Sequence, residues 1–172
     1  ESTWAEGVPR PRQLPCASRP PEGAAASGMS ACITTATSGL MSSPVLLDTG
    51  PLYALADPSD QYHHRARRQL ERLTAEGRFV TLTYPTLMEA YTLVLRRLGV
   101  GYAQRWLQEL VGGAMLVNPE PGDYQVAFGL LLRLSDQPLT LFDTVAAAVS
   151  KRLRMPIWTY DRHFELLGVE RW

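Results

Sequence analysis

Four carboxylates stand out in the 172-residue chain by their settings: Asp48, Glu89, Asp143 and Asp161. Asp48 ends the short apolar run Val45-Leu46-Leu47, and Asp161 ends a second β-prone run, Ile157-Trp158-Thr159-Tyr160. Asp143 falls in the first turn of a helix opened by Thr140, and Glu89 in the first turns of a helix opened by Pro85. Acids held within a few ångströms of one another cannot all ionise unless something positive lies between them. No lysine or arginine can be placed at the same strand ends. The counter-charge that suits them is a divalent cation with oxygen ligands, Mg²⁺ or Mn²⁺. Such an ion turns water into a nucleophile and steadies charge developing on a phosphoryl group, so the pattern points to phosphodiester hydrolysis.

That chemistry needs the four acids at one place, and the stretch Thr140 to Asp161 shows how the chain can bring them there. Phe142, Val145, Ala146, Val149 and Leu153 recur at helical spacing until Pro156 stops the helix. A helix of about 12 residues travels about 18 Å, and a return strand of about five covers about 16 Å. Asp143 and Asp161 therefore belong to the same edge of the molecule. Elsewhere, strands at Val45–Leu47, Phe79–Thr83 and Met115–Val117 alternate with helices over Gln61–Leu73, Pro85–Leu98, Tyr102–Gly112 and Asp123–Leu134. A short helix from Leu52 and an edge strand over Val169–Trp172 complete the reading. Brief apolar strands between amphipathic helices predict a parallel α/β sheet covered on both faces. Ligands of such folds gather where strands end and helices begin, and all four acids map to that edge.

Each acid also has a purely structural explanation. Asp48 before Thr-Gly-Pro suits an Asx turn, and Glu89 suits a solvated helix surface. Asp143 can form a capping box with Thr140, and Asp161 can cap whatever helix follows it. Four such coincidences at one edge are less probable than one, and the joint reading is a site.

Composition excludes more than it assigns. Lys+Arg and Asp+Glu are 17 each, so no overall field draws the chain to nucleic acid, and Lys151 is the only lysine. Cys16 and Cys32 both lie before Pro44, which leaves the rest without a disulfide or thiolate metal site. No apolar run approaches the roughly 20 residues of a membrane span, and the expected location is the cytoplasm. Residues 1–43 are rich in Pro, Ser, Thr, Ala and Gly, with almost no large aliphatics. They are expected to be a disordered extension, with Met29 and Met41 as alternative starts, and residues 44–172 a single domain. Gly50 stands where an Asp-x-Asp phosphatase needs its second acid, and no P-loop is present.

From Val45 to the end, the chain resembles the PIN domain, in particular the VapC-like ribonuclease toxins of bacterial toxin–antitoxin pairs. The matching pieces are LLDTGPLYAL, PTLMEA, QPLTLFDTVAAAVSKRL and IWTYDRHFELLG. The resemblance implies a three-layer α/β/α sandwich with a mostly parallel central sheet. It implies a Mg²⁺- or Mn²⁺-dependent endoribonuclease in which Asp48, Glu89, Asp143 and Asp161 form the acidic metal-binding quartet. Thr49 and Thr159 match its polar neighbours, and Asp136 matches a further acid of relatives. A cognate antitoxin protein, an RNA substrate and a homodimer are implied as partners. The extension before Pro44 departs from the pattern. The reading to set against this is a non-catalytic module of the same fold that binds RNA or protein.

Among the remaining polar residues, Arg162 and His163 adjoin Asp161 and are placed to touch substrate phosphate. His63 and His64 lack a metal-binding partner at useful spacing and read as a solvated helix face. Arg65, Arg67, Arg68 and Arg72 on the same helix could contact an RNA backbone. Trp106 and Trp158 read as core or interface, and nothing in the sequence singles out a base-stacking platform.

Overall fold

The computed structural model describes residues 43–172. Residues 1–42 lie outside the described residues, and with them both cysteines and all but Ser43 of the segment expected to be disordered. Strand β1 (Pro44–Leu47) is buried from Val45 onward. Its side chains alternate between two cores, as the period of a strand requires. Val45 and Leu47 enter one apolar cluster, and Leu46 enters the other. β1 is paired in parallel on both sides, with β2 (Phe79–Thr83) and with β4 (Ile157–Trp158). β3 (Met115–Val117) adds to β2, also parallel, giving the order β3-β2-β1-β4. The sheet is wholly parallel and both faces are covered: a three-layer α/β/α sandwich.

One layer is made by α1 (Thr49–Ala56), α2 (His63–Ala75), α3 (Tyr84–Leu98) and α4 (Val100–Gly113). Their Leu52, Leu55, Leu70, Leu73, Leu87, Val94, Trp106 and Leu110 pack on Val45, Leu47 and Leu82 of the sheet. The other layer is α5 (Pro121–Arg133) and α6 (Leu141–Leu153), with the single-turn α7 (His163–Leu166). Leu130, Val145, Val149 and Phe164 from these helices pack on Leu46 and Ile157. Trp106 and Trp158 are both core residues, at 4% and 0% exposure.

Helix ends differ from the sequence expectation for local reasons. α1 begins at Thr49, not Leu52, because the Asp48 side chain caps it by accepting from Thr49 N at 2.7 Å. Pro51 is tolerated in that first turn, where no intrahelical N–H bond is lost. α2 starts at His63, not Gln61, because Asp60 accepts from Tyr62 N in a local turn instead of capping a helix. Between α3 and α4 a single Gly99, at φ 87°, replaces a loop. Only glycine adopts that conformation without strain. α5 gains two residues because Glu120 and Asp123 form a reciprocal capping box.

Two strands are shorter than expected. β4 is two residues long because β1 runs out beside it, with Asp48 N donating to Trp158 O at 3.0 Å as the last rung. The expected edge strand at the C-terminus is a single parallel bridge between Ile157 and Arg171. Among the described residues, no helix is long and apolar enough to cross a membrane.

Candidate active site

Asp48 sits at the carboxyl end of the central strand, 8% exposed, with a hydrogen bond at each oxygen. Oδ1 takes the Thr49 N–H, and Oδ2 takes the Thr159 hydroxyl at 2.8 Å. Thr159 in turn accepts from Asp161 N at 3.0 Å, which locks the end of β4 to the end of β1. Burial drives the Asp48 carboxyl from the ordinary 3.8 up to about 6, although both hydrogen bonds oppose the rise. The negative charges of Asp143 and Glu89 push it the same way.

Glu89 reaches the site from the second turn of α3. Its Oε2 accepts from Thr49 Oγ1 at 2.5 Å, so the single residue Thr49 at the start of α1 holds both carboxylates, Asp48 through its N–H and Glu89 through its hydroxyl. Burial raises Glu89 above the usual glutamate range against that bond, with Asp143 adding to the rise. Asp143 forms the capping box expected with Thr140: its Oδ2 accepts from Thr140 N at 2.8 Å and from Thr140 Oγ1 at 2.7 Å. This structural role does not use its Oδ1, and the half-buried carboxylate acts electrostatically on both other acids. Asp48, Glu89 and Asp143 therefore share one field.

Asp161 is placed differently. Its Oδ1 accepts from His163 N at 2.9 Å and pairs with His163 Nδ1 at 2.7 Å, so its side chain caps α7. It is not among the charges that shift Asp48 or Glu89. Only its backbone is tied to the other acids, through Thr159. His163 is occupied by Asp161, and Arg162 is exposed at the start of α7 with no side-chain bond among the described residues. Of the four acids expected together, Asp48 and Glu89 thus meet at Thr49, Asp143 acts on both electrostatically, and Asp161 is joined to Asp48 through Thr159. Asp136 is exposed and, among the described residues, bonds only to its neighbour Gln137.

The donor set suits a hard divalent cation in kind: oxygen only, mutually repelling, and joined by no Lys or Arg ion pair among the described residues. In spacing it is more open than a formed cage. Among the described residues, no three His, Cys, Asp or Glu side chains are grouped closely enough to hold an ion. Beside the acids, a groove of about 340 Å³ is lined by Thr49, Glu89, Met88, Leu93, Arg96 and Phe142.

A support the sequence did not reveal is Gln69, midway along α2. Its Oε1 accepts from the Trp158 indole N–H at 3.2 Å and from the Tyr160 hydroxyl at 2.8 Å. These residues flank Thr159, so Gln69 fixes the strand end that holds Asp48. Nothing in the local pattern marks a half-buried glutamine on an arginine-rich helix as a tie to a strand 89 residues away. Gln69→Leu is expected to strand the fully buried Trp158 N–H at a cost of about 1–2 kcal/mol. Urea unfolding monitored by circular dichroism checks this, and an unchanged midpoint would refute the bracing role.

Comparison with known proteins supplies the family. The model of the PIN domain matches residues 45–169. No curated protein sequence matches significantly. Among solved structures, Mycobacterium tuberculosis VapC20, described as a Sarcin-Ricin loop cleaving toxin, is similar with a TM-score of 0.65 at 20% identity. That match covers 73% of this chain and 95% of the other. DNA-bound VapBC from Salmonella typhimurium is similar with a TM-score of 0.59 at 15% identity, covering 76% of this chain and 96% of that one. FitAcB from Neisseria gonorrhoeae gives 0.55 at 20% identity, covering 74% and 96%. At such identities the structural likeness speaks for the fold, while the family match rests on sequence across most of the described domain. The chain belongs to the PIN domain family.

Proposed function

We propose that this protein is a divalent-metal-dependent endoribonuclease, acting as the toxin of a toxin–antitoxin pair. The observation that carries the proposal is that Thr49 and Thr159 hold the Asp48 and Glu89 carboxylates together at the carboxyl end of the sheet, with no Lys or Arg ion pair to either among the described residues. Asp48, Glu89 and Asp143 would hold Mg²⁺ or Mn²⁺, and Asp161 would complete the set from the rim. When bound, the ion supplies an activated water and stabilisation of charge on the phosphate. The chain's own part is positional. Thr159 and Thr49 fix one oxygen each of Asp48 and Glu89, while Glu89 Oε1, Asp143 Oδ1 and Asp161 Oδ2 make no hydrogen bond among the described residues. Arg162 and His163 stand beside Asp161 and would be the groups to touch a substrate phosphate there.

The toxin role is supported by the family and by the fold shared with VapC20, VapBC and FitAcB. It brings an antitoxin protein as partner and a homodimer as assembly. Exposed Phe128 and Leu132, one turn apart on α5, offer an apolar face for pairing. A second reading, a non-catalytic RNA- or protein-binding module, draws on the capping roles that already occupy Asp143 and Asp161.

One assay separates them. Incubated with RNA, the protein is expected to cleave internally with Mg²⁺ or Mn²⁺, to stop in EDTA, and to resume when the ion is restored. Cleavage that persists in EDTA, or no cleavage with either ion, would overturn the nuclease reading.

A further inference from the structure

An aromatic and cationic cluster borders the acidic site. Tyr160 follows Thr159 directly, and its hydroxyl is pinned by Gln69. A Cβ added at Gly50 would lie 3.9 Å from Asp48 Oδ2 and 4.0 Å from Tyr160 Cδ2. A carbon at that one point would be in van der Waals contact with both groups, which places the Tyr160 ring beside the Asp48 carboxylate. The Tyr62 ring packs on Tyr160 with centroids 5.0 Å apart and planes inclined by 38°. The Arg65 guanidinium stands 4.8 Å from the Tyr160 centroid.

Two features are poorly explained by packing alone. Tyr62 remains 40% exposed although it heads a helix whose inward positions Ala66, Leu70 and Leu73 are well buried. Arg65 is exposed and, among the described residues, forms no ion pair. A ring with open surface beside an arginine already stacked on its neighbour is suited to an unpaired base and the adjoining phosphate. Arg68 is exposed one turn along the same helix and adds positive charge along the path a strand would take.

We infer that Tyr62, Tyr160 and Arg65 form a stacking shelf for one unpaired nucleobase of a single-stranded RNA, next to the position of the cut phosphate. This rests on the ribonuclease reading and deepens it. The shelf selects looped or single-stranded RNA over duplex, because bases within an A-form helix do not present their faces. It is tolerant of base identity, because every base has a π-face.

The test is equilibrium binding in EDTA, which holds the RNA uncut, to a fluorescent oligoadenylate and to an abasic strand of the same length. The full chain is expected to prefer the base-bearing strand by about 10-fold. Tyr62→Ala is expected to lose about 10-fold on the base-bearing strand and to leave the abasic strand unchanged, whereas Tyr62→Phe retains the preference. Arg65→Ala is expected to weaken both strands alike. An unchanged melting temperature for Tyr62→Ala shows that the loss is not unfolding. Equal loss on both strands, or none, overturns the shelf and leaves the nuclease reading to its own test. Failure of the full chain to bind either strand overturns the shelf as well, and the Mg²⁺ cleavage assay then decides whether the ribonuclease reading falls with it.

Discussion

Asp48→Asn is expected to lower metal-dependent RNA cleavage by at least about 10³-fold, the scale on which a pre-organised charge-stabilising group acts. The same change is expected to stabilise the metal-free protein at pH 8. Asparagine keeps the cap, since its carbonyl oxygen can still accept from Thr49 N. What disappears is a charge that burial makes unfavourable. Asp48 ionises at about 6 in the folded chain against 3.8 ordinarily. Below the lower value both folded and unfolded chains are protonated, and Asp48 has no effect on the pH slope. Between the two values the folded chain holds the extra proton, so stability falls as pH rises, and above about 6 the loss is complete.

A shift of this size corresponds to about 3 kcal/mol, less about 1 kcal/mol for the poorer bond that Thr159 makes to an amide. A net gain of about 1–2 kcal/mol is therefore expected for Asp48→Asn at pH 8, fading toward pH 4. Mg²⁺ should raise the melting temperature of the unaltered chain and not that of the variant. Thermal unfolding at the two pH values, with and without Mg²⁺, checks all of this. A variant that is less stable at pH 8 would show that Asp48 is a structural cap and not a site under electrostatic strain.

Arg152→Ala is expected to produce the largest loss of stability among the polar substitutions considered. Arg152 donates to Asp123 through Nε at 2.9 Å and 3.1 Å and through Nη2 at 2.8 Å, and to Glu120 through Nη1 at 3.0 Å. Asp123 is 3% exposed and also closes the capping box of α5. Burial is the largest single influence and would raise its carboxyl, but the Arg152 bonds, the Glu120 N–H and the Arg152 charge together hold it below the ordinary value. That stability is present near neutral pH and is lost as pH falls through the lowered value.

Removing one partner of a buried pair costs more than the pair was worth, because the other charge stays behind. Arg152 lies near the surface and its loss would admit water, so the expected cost is about 2–3 kcal/mol, a drop in melting temperature of about 10 °C. Asp123→Asn in the same chain should recover part of it by removing the stranded charge. Additive losses in the double variant would show that the two side chains act independently.

Most of what local chemistry controls was legible in the residues. An unbroken apolar run such as Val45–Leu47 fits a strand buried on both faces, and Thr140 with Asp143 fits a helix start, as both prove to be. The alternation of such pieces dictates a parallel sheet, and a parallel sheet puts Asp48, Glu89 and Asp143 at its carboxyl edge. Element ends were less legible, because Asp48, Asp60 and Glu120 are each able to cap a helix or make a turn, and the contest is settled by competing hydrogen bonds.

Tertiary structure decided which side chains share an environment. Asp161 and Asp143 look equivalent in sequence, yet one turns to His163 while the other bonds Thr140 and acts electrostatically on Asp48. Gln69 finds its partners on a strand far along the chain, and Tyr62 finds Tyr160 only once α2 has packed beside β4. The sequence alone determined that carboxylates stand at strand ends and helix starts, because those positions are set by short-range pattern. The folded chain decided which of them lie together, because a carboxylate's influence is screened over about 10 Å and its direction depends on the neighbour it bonds.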